Sequence, residues 1–270
     1  MLNQIRADFY RLFKSKSFYL IMGIAFIFTI FMMAIYGIYS FALNNIDITE
    51  LGEDTAAMIR GMLPTNFTQY MEMFYFGNYS IMFIIILMVI FCSAEYSKGY
   101  IKNTATLISP RYLTVFSKLI ITVFVTAIVY LLIGIVVVGG CSIMSIEISS
   151  DNVAGIIKML LVSFLMNVSL ASFILMLFYL FRKSMPALIS GILYISMGTM
   201  ILAFLNLAIR AAFKADDFDI TKYINLGNLV NHVSATASDS TYIRATIVAL
   251  IVMAGSTAIS CVSMQKKDIR

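Results

Sequence analysis

Six long stretches without a charged residue constrain this chain more than any other feature. They cover residues 18–43, 73–94, 119–146, 159–181, 184–209 and 245–265. Each is long enough to cross a hydrocarbon core of about 30 Å as a helix, for which about 20 residues suffice. Lipid offers the backbone no hydrogen-bond partner, so single segments that cross it are helices. The sequence therefore predicts an all-α integral membrane protein with six transmembrane helices.

The overall composition leads to the same fold class. The chain is 61% hydrophobic and 12% charged, and a water-soluble fold cannot bury so much apolar surface. No connecting segment is long enough for a separate soluble domain. We therefore expect a membrane domain over residues 18–265, preceded by a segment over residues 1–17 and followed by a tail over residues 266–270.

The basic residues are concentrated in alternate connecting segments. This set comprises Arg6, Arg11, Lys14, Lys16, Lys98, Lys102, Arg111, Lys118, Arg182, Lys183, Lys266, Lys267 and Arg270. The other segments hold most of the acidic residues, so the positive-inside rule places both termini, the loop at 95–118 and the 182–183 turn in the cytoplasm. The net charge of +5 thus reflects membrane orientation, and we expect no nucleic-acid partner.

The segment over residues 1–17 predicts an amphipathic helix that lies in the cytoplasmic interface and contacts membrane lipid. Its apolar positions recur at helical spacing and its basic positions fall on the other side. The apolar set is Leu2, Ile5, Phe9, Leu12 and Phe13, and the basic set is Arg6, Arg11 and Lys14. The alternative is a basic flank that only orients the first span.

Two connecting segments have a pattern of their own. Residues 98–108 mix polar and apolar side chains over one helix length, and Pro110 ends the pattern, which predicts a short cytoplasmic helix parallel to the membrane. The outer segment 210–244 is compatible with a helix that re-enters the outer leaflet and equally with a helix on the surface.

Catalytic motifs are absent from the sequence. It has no G-x-x-x-x-G-K-[ST] phosphate loop and no H-E-x-x-H zinc motif, and its single histidine, His232, lies in an outer loop. We therefore expect no catalytic residue, no metal site and no cofactor bound by this chain. The spans also lack deep charged residues, which argues against the hypotheses of an ion-coupled carrier and of a voltage-gated channel.

Small and polar residues recur in the later spans at the spacing of one helix face. Ser163, Asn167 and Ala171 share a face of the fourth span, and Ala187 and Gly191 share a face of the fifth. Such faces permit close helix packing. Ordinary bundle packing explains them, and a substrate path is the alternative.

The organisation of the whole chain resembles the permease subunits of the ABC-2 family, also called type V ABC exporters. The shared points are the basic amphipathic N-terminal helix, six spans with both ends inside, and the loop after the second span. The loop carries an acidic residue, a glycine, a short helix, a serine-arginine step and a lysine. These are Glu95, Gly99, residues 102–107, Ser109 and Arg111 with Pro110 inserted between them, and Lys118.

The resemblance implies a cytoplasmic ABC ATPase as the partner, in two copies, which binds ATP and Mg. It also implies a second permease, giving a homodimer whose contact lies near the first and fifth spans. The coupling residues would be Glu95, Lys98, Gly99, Tyr100, Ile101, Lys102, Asn103, Leu107 and Arg111. The elbow helix would use Ile5, Phe9, Leu12, Phe13, Arg6 and Arg11, and the dimer or path candidates are Asn167, Ala187 and Gly191.

Within this family the chain is most similar to the bacterial permeases for lantibiotic immunity and for phenol-soluble-modulin export. This implies a multi-pass protein of the plasma membrane that exports amphipathic or antimicrobial peptides. The alternatives are an ABC permease for a lipid-linked or drug substrate, a channel or ion-coupled carrier, and a membrane enzyme or assembly factor.

Overall fold

The computed structural model describes residues 2–45, 64–76, 78–97, 112–146, 153–213 and 233–266, and the regular structure in these ranges is entirely α-helical. The helices are α1 (Leu2–Lys14), α2 (Lys16–Asn45), α3 (Phe67–Phe76), α4 (Asn78–Ser97), α5 (Leu113–Ile143), α6 (Val153–Phe181), α7 (Ser184–Phe213) and α8 (Asp239–Lys266). This confirms the expected all-α integral membrane fold.

Within the described residues, five segments are long and apolar enough to cross a membrane, and a bent pair provides a sixth if it counts as one span. The five are α2, the run Phe67–Tyr96 formed by α3 and α4, α5, α6 and α8. The bent pair is α7, whose parts Ser184–Gly198 and Met200–Arg210 meet at 55°. α7 is therefore either a broken span or a re-entrant element.

Three helices begin well before the uncharged stretches that predict them. α5 begins at Leu113 rather than residue 119, α6 at Val153 rather than 159, and α8 at Asp239 rather than 245. The reason is that a lack of charge marks only the part of a helix that lies in hydrocarbon. The helices continue through Lys118 and Lys158, because a charged residue in the interface does not end a helix.

α6 lies at the centre of the bundle and packs most extensively on α8. Small polar side chains line this contact: the Ser172 and Ser256 hydroxyls are 2.8 Å apart, and the Ser263 hydroxyl donates to the Tyr179 carbonyl at 3.1 Å. Ala249 of α8 is fully buried. Apolar burial gains nothing over lipid for helix association in a membrane, so such close, hydrogen-bonded contacts hold the two spans together.

The ends of the helices alternate between two faces of the bundle, as the predicted topology requires. At one face Tyr96 contacts the ring of Phe178 at 5.4 Å and donates to the Met264 sulfur at 3.3 Å, which joins the ends of α4, α6 and α8. At the other face Lys158 pairs with Asp239 at 2.9 Å. The face that contains Tyr96 also holds α1, and we call it the basic end.

Several predicted features lie outside the described residues. These are the short helix over 98–108, the middle of the outer segment 210–244 and His232.

Candidate functional site

α1 lies at the basic end and presents three different faces. Gln4, Asp8 and Leu12 recur every fourth residue and are buried, with 8%, 0% and 1% of their surfaces exposed. Phe9 and Phe13 pack on a single ring of α5, as described below. The third face is exposed and carries the basic residues Arg6 and Lys14, which lie away from the bundle.

The aromatic face of α1 fixes its depth along α5. The ring of Phe124 lies 4.9 Å from Phe9 and 5.8 Å from Phe13 in edge-to-face contacts, and Phe13 also contacts Phe18 of α2 at 5.7 Å. Such ring pairs stabilise a contact beyond the area that they bury. Leu2 is 82% exposed and Phe13 is 44% exposed, so this apolar edge remains available to lipid, as expected for an interfacial helix.

The buried face of α1 carries half of a four-residue ion cluster, formed by Asp8, Arg11, Glu95 and Lys118. Lys118 Nζ lies 3.1 Å from Asp8 Oδ1 and also binds Glu95. Arg11 Nη1 lies 2.9 Å from Glu95 Oε1, and Arg11 also pairs with Asp8. Each acid therefore contacts both bases, and the hydroxyl of Ser117 donates a further hydrogen bond to Asp8.

The ion cluster is largely buried, and its most exposed member is Arg11, at 27% of its side chain. Asp8 is 0% and Lys118 is 1% exposed, and the Lys118 ammonium lies 4.4 Å from the ring centroid of Phe91, within the range of a cation–π contact. Burying a charge is costly unless it is paired and hydrogen-bonded. Here two acids and two bases compensate one another, so the cluster is compatible with burial only while all its members are in place.

The ion cluster joins α1 to both ends of the loop after the second span. Glu95 lies in the last turn of α4, which ends at Ser97, and Lys118 lies in the second turn of α5, which begins at Leu113. The rest of the expected coupling set lies outside the described residues, namely Lys98, Gly99, Tyr100, Ile101, Lys102, Asn103, Leu107 and Arg111. Of that set the structure places Glu95, which is 8% exposed.

Asp8 and Ser117 were not among the predicted site residues, and Arg11 was predicted to lie on the basic face of the helix. The structure brings all three to the ion cluster. A signal was present, since Asp8 is the only acid in residues 1–17 and precedes Arg11 by three positions, a spacing that pairs side chains on a helix. The partner across the bundle, Lys118, has no such local signature.

The predicted polar face of the fourth span points into the bundle. Asn167 donates to the hydroxyl of Tyr130, which is also 3.0 Å from the hydroxyl of Ser163. Tyr75 donates to the Tyr130 carbonyl at 2.9 Å. These hydrogen bonds connect α3, α5 and α6, so in this chain the face is used for bundle packing.

The small residues of the fifth span also face inward. Ala187 is 0% exposed. A methyl group placed on Gly191 would lie 3.3 Å from Ile174 and 3.5 Å from Ile85, so α6 and α4 already occupy the space that this glycine leaves. The close approach that Ala187 and Gly191 permit is therefore made within the chain, while their part in a contact between two chains stays a prediction.

Metal chemistry finds no support in the described part of the chain, where no group of three His, Cys, Asp or Glu side chains is placed to hold an ion. The cysteines are free thiols: Cys92 and Cys141 are buried, and Cys261 is partly exposed. They lie in α4, α5 and α8, consistent with packing residues of a helical bundle.

A comparison with protein families identifies the chain. A family model described as ABC-2 family transporter protein matches residues 4–198, a range that includes most of α1, the ion cluster and the first part of α7, Ser184–Gly198. No curated protein matches the chain. Because the matched range is well over half of the 270 residues, the protein belongs to the ABC-2 transporter family and is a multi-pass membrane permease subunit of an ABC transporter.

Proposed function

We propose that this permease forms, with a second copy of itself, the path of an ATP-driven exporter that moves amphipathic peptides out of a bacterial cell across its plasma membrane. A separate ABC ATPase, present in two copies, binds ATP and Mg and supplies the energy. The observation that carries the proposal is the ion cluster, which joins the N-terminal helix to both ends of the loop expected to contact the ATPase.

The ion cluster favours coupling because it makes the basic end mechanically continuous. Glu95 of α4 and Lys118 of α5 bind each other, and both are held on α1. A force on residues 98–111 that moves one of these helix ends would therefore also move the other. Buried ion pairs have strict geometry, so these helix ends are expected to move together rather than separately. An ATPase that docks on this loop would thus displace the second and third spans as one unit.

The exposed surface of α7 supports an amphipathic substrate. Met185, Met197 and Met200 are 70%, 48% and 58% exposed, and no charged residue interrupts α7 before Arg210. Methionine side chains are flexible and polarizable, and they adapt to apolar partners of varied shape. A peptide with an apolar face would find exposed apolar side chains on both parts of the bent α7 without needing charged ligands.

An ion-coupled carrier is the less favoured alternative. Among the described residues the buried charged side chains are Asp8, Glu95 and Lys118, and all three belong to the ion cluster at the basic end. A proton or ion path across the membrane would need ionisable groups deeper in the spans.

The test is reconstitution of the permease in nanodiscs with the ATPase encoded beside it. We expect the two proteins to co-purify as two permeases with two ATPases. An amphipathic helical peptide should stimulate ATP hydrolysis more than a scrambled peptide of the same composition or a lipid-linked sugar. Failure to bind an ATPase would overturn the proposal that the protein is part of an exporter. Stimulation by the sugar alone would show that the substrate is a lipid-linked sugar and not a peptide.

Two sets of variants separate coupling from substrate binding. Y100E/I101E should abolish the stimulation while leaving the permease folded, because charged residues would disrupt an apolar docking contact. M197Q/M200Q should weaken the response to peptide while leaving the basal hydrolysis unchanged. Normal coupling in Y100E/I101E would show that this loop does not contact the ATPase.

A further inference from the structure

A second polar feature at the basic end is a surface cleft beside the turn between α6 and α7. It has a volume of about 450 Å³ and opens to the surface. Its polar lining includes Ser93, Tyr96, Arg182, Lys183 and Ser184. The described residues of this lining provide two cations and no carboxylate, so the cleft favours an anionic ligand. The hydroxyls of Ser93 and Tyr96 already donate to the Ile90 carbonyl and the Met264 sulfur.

Arg182 lies in a left-handed backbone conformation, as Ser145 also does at the end of α5. Arg182 has a φ of 54°, and its N–H bonds the Phe178 carbonyl at 2.7 Å to end α6. This left-handed position after a helix is normally glycine, which adopts it without steric conflict. An arginine here accepts a strained backbone, and such strain is concentrated at functional sites.

The start of α7 adds to the positive potential of the cleft. Ser184 is its first residue, and α7 continues for 30 residues. The free N–H groups and the dipole at the start of a helix favour an anion. Arg182, Lys183 and Ser184 line the same cleft, so the two cations and the start of α7 both contribute positive potential to it.

The apolar side of the cleft distinguishes a lipid from a free anion. Met185 lines the cleft and is 70% exposed. One turn further along α7, Ile189 is 56% exposed, and Phe181 at the end of α6 is 48% exposed. A ligand seated here would have its charged group on Arg182 and Lys183 and an apolar part along the outer surface of α7.

We propose that this cleft binds the phosphate headgroup of an anionic phospholipid of the inner leaflet. Basic pockets between transmembrane helices at the cytoplasmic side are suited to such headgroups. An acidic segment of a protein partner would satisfy the two cations but would leave the exposed apolar side chains of Met185 and Ile189 uncovered, whereas an acyl chain would cover them. The inference does not depend on the exporter proposal.

The experiment measures binding of dioctanoyl phosphatidylglycerol and dioctanoyl phosphatidylcholine to the purified full-length permease by microscale thermophoresis. We expect the anionic lipid to bind at least about tenfold more tightly, because the two cations attract a headgroup of net negative charge, whereas the choline ammonium of phosphatidylcholine offsets its phosphate. K183Q should lower the affinity for phosphatidylglycerol by about tenfold, and R182Q/K183Q should remove the preference for phosphatidylglycerol over phosphatidylcholine. K14Q removes a cation from the same end outside the cleft and should change nothing.

Lys183 is exposed, so K183Q retains the fold, and a melting curve verifies this for each variant. Equal affinity for the two lipids, or unchanged binding in K183Q and the double variant, would overturn the site. Inorganic phosphate that displaces phosphatidylglycerol at equal concentration would show a free-anion site instead of a lipid site. Loss of ATPase co-purification with unchanged lipid binding would assign the cleft to the protein partner.

Discussion

Lys118 is the residue on which the charge balance of the ion cluster most depends. It is 1% exposed, contacts both Asp8 and Glu95, and lies over the ring of Phe91. A lone lysine in such a place would be too costly to keep charged. Its two carboxylate partners depend on it in the same way, since each would otherwise be a buried anion with one cation fewer.

We expect K118M to destabilise the protein by about 3–5 kcal/mol, because it leaves Asp8 and Glu95 close together with Arg11 as their remaining cation. The measurement is thermal unfolding in detergent, followed by a thiol-reactive dye at the buried cysteines. The matched control is D239N, which breaks the exposed Lys158–Asp239 pair and should have little effect. Equal melting temperatures for the two variants would contradict the role of the ion cluster.

Gly134 provides a second test at the scale of one residue. A methyl group at this position would lie 2.8 Å from the hydroxyl of Tyr75, which donates to the Tyr130 carbonyl. Alanine favours a helix by about 1 kcal/mol over glycine, but here the lost hydrogen bond and the crowding outweigh it. We therefore expect G134A to be net destabilising by about 1–2 kcal/mol.

The control for G134A is G139A on the same helix, where a methyl group would meet no atom within 4 Å. G139A should leave the melting temperature unchanged or raise it. Y75F removes the crowded hydroxyl, so G134A should cost less in a Y75F background than alone. A G134A protein as stable as G139A would show that Tyr75 moves aside at no cost.

At the scale of elements, α1 docks on the bundle through its buried face, which carries Asp8, as well as through its aromatic face. The ion cluster and the Phe124 contacts hold two sides of the helix. The break at Ser15 between α1 and α2 lets the chain turn from the interface into the first span. α1 is therefore an integral part of the basic end rather than a simple orienting flank.

We predict that D8N loosens α1 and exposes the α1–α2 junction to trypsin. The loss of a charged partner for Lys118 and Arg11 should raise the undocked population by roughly tenfold, and cleavage follows that population when opening is fast. The measurement is the rate of cleavage after Lys14. R6Q, at an exposed residue of the same helix, should cleave at the wild-type rate, and an unchanged rate in D8N would contradict docking through Asp8.

At the scale of the whole molecule, the alternation of helix ends is consistent with the charge pattern. The basic end contains α1, the ends of α4, α6 and α8, and the cations Arg182 and Lys183. The opposite end contains the Lys158–Asp239 pair and Glu72, which accepts a hydrogen bond from the Ala235 N–H at 2.8 Å. The positive-inside rule predicts that the basic end faces the cytoplasm.

Labelling of single cysteines tests this orientation. In a background without Cys92, Cys141 and Cys261, a cysteine at position 50 should react with an impermeant maleimide from outside. A cysteine at position 102 should react after the cells are permeabilised. The reverse pattern would invert the topology, and labelling of both positions from one side would contradict the number of spans between them.

The sequence by itself determined the fold class, the alternation of charge and the location of five spans, while the bent α7 leaves the sixth open. Hydrocarbon imposes these features locally: a segment that crosses it must be apolar, helical and about 20 residues long. That is why the uncharged stretches locate the spans, and why they miss helix starts such as Leu113, which lie in the interface. The bend in α7 was not predicted, because the sequence has no proline near Thr199 that would indicate a break in the helix.

The tertiary structure decided which faces meet. Asp8 and Arg11 are an ordinary surface pair in the sequence. They become the docking face of α1 because Glu95 and Lys118, far away along the chain, supply the opposite charges. Gly191 likewise permits close packing with any helix, and the fold selects Ile174 and Ile85. The free energy of a buried charge or a close contact depends on its partner, and the partner is fixed only when the whole bundle assembles.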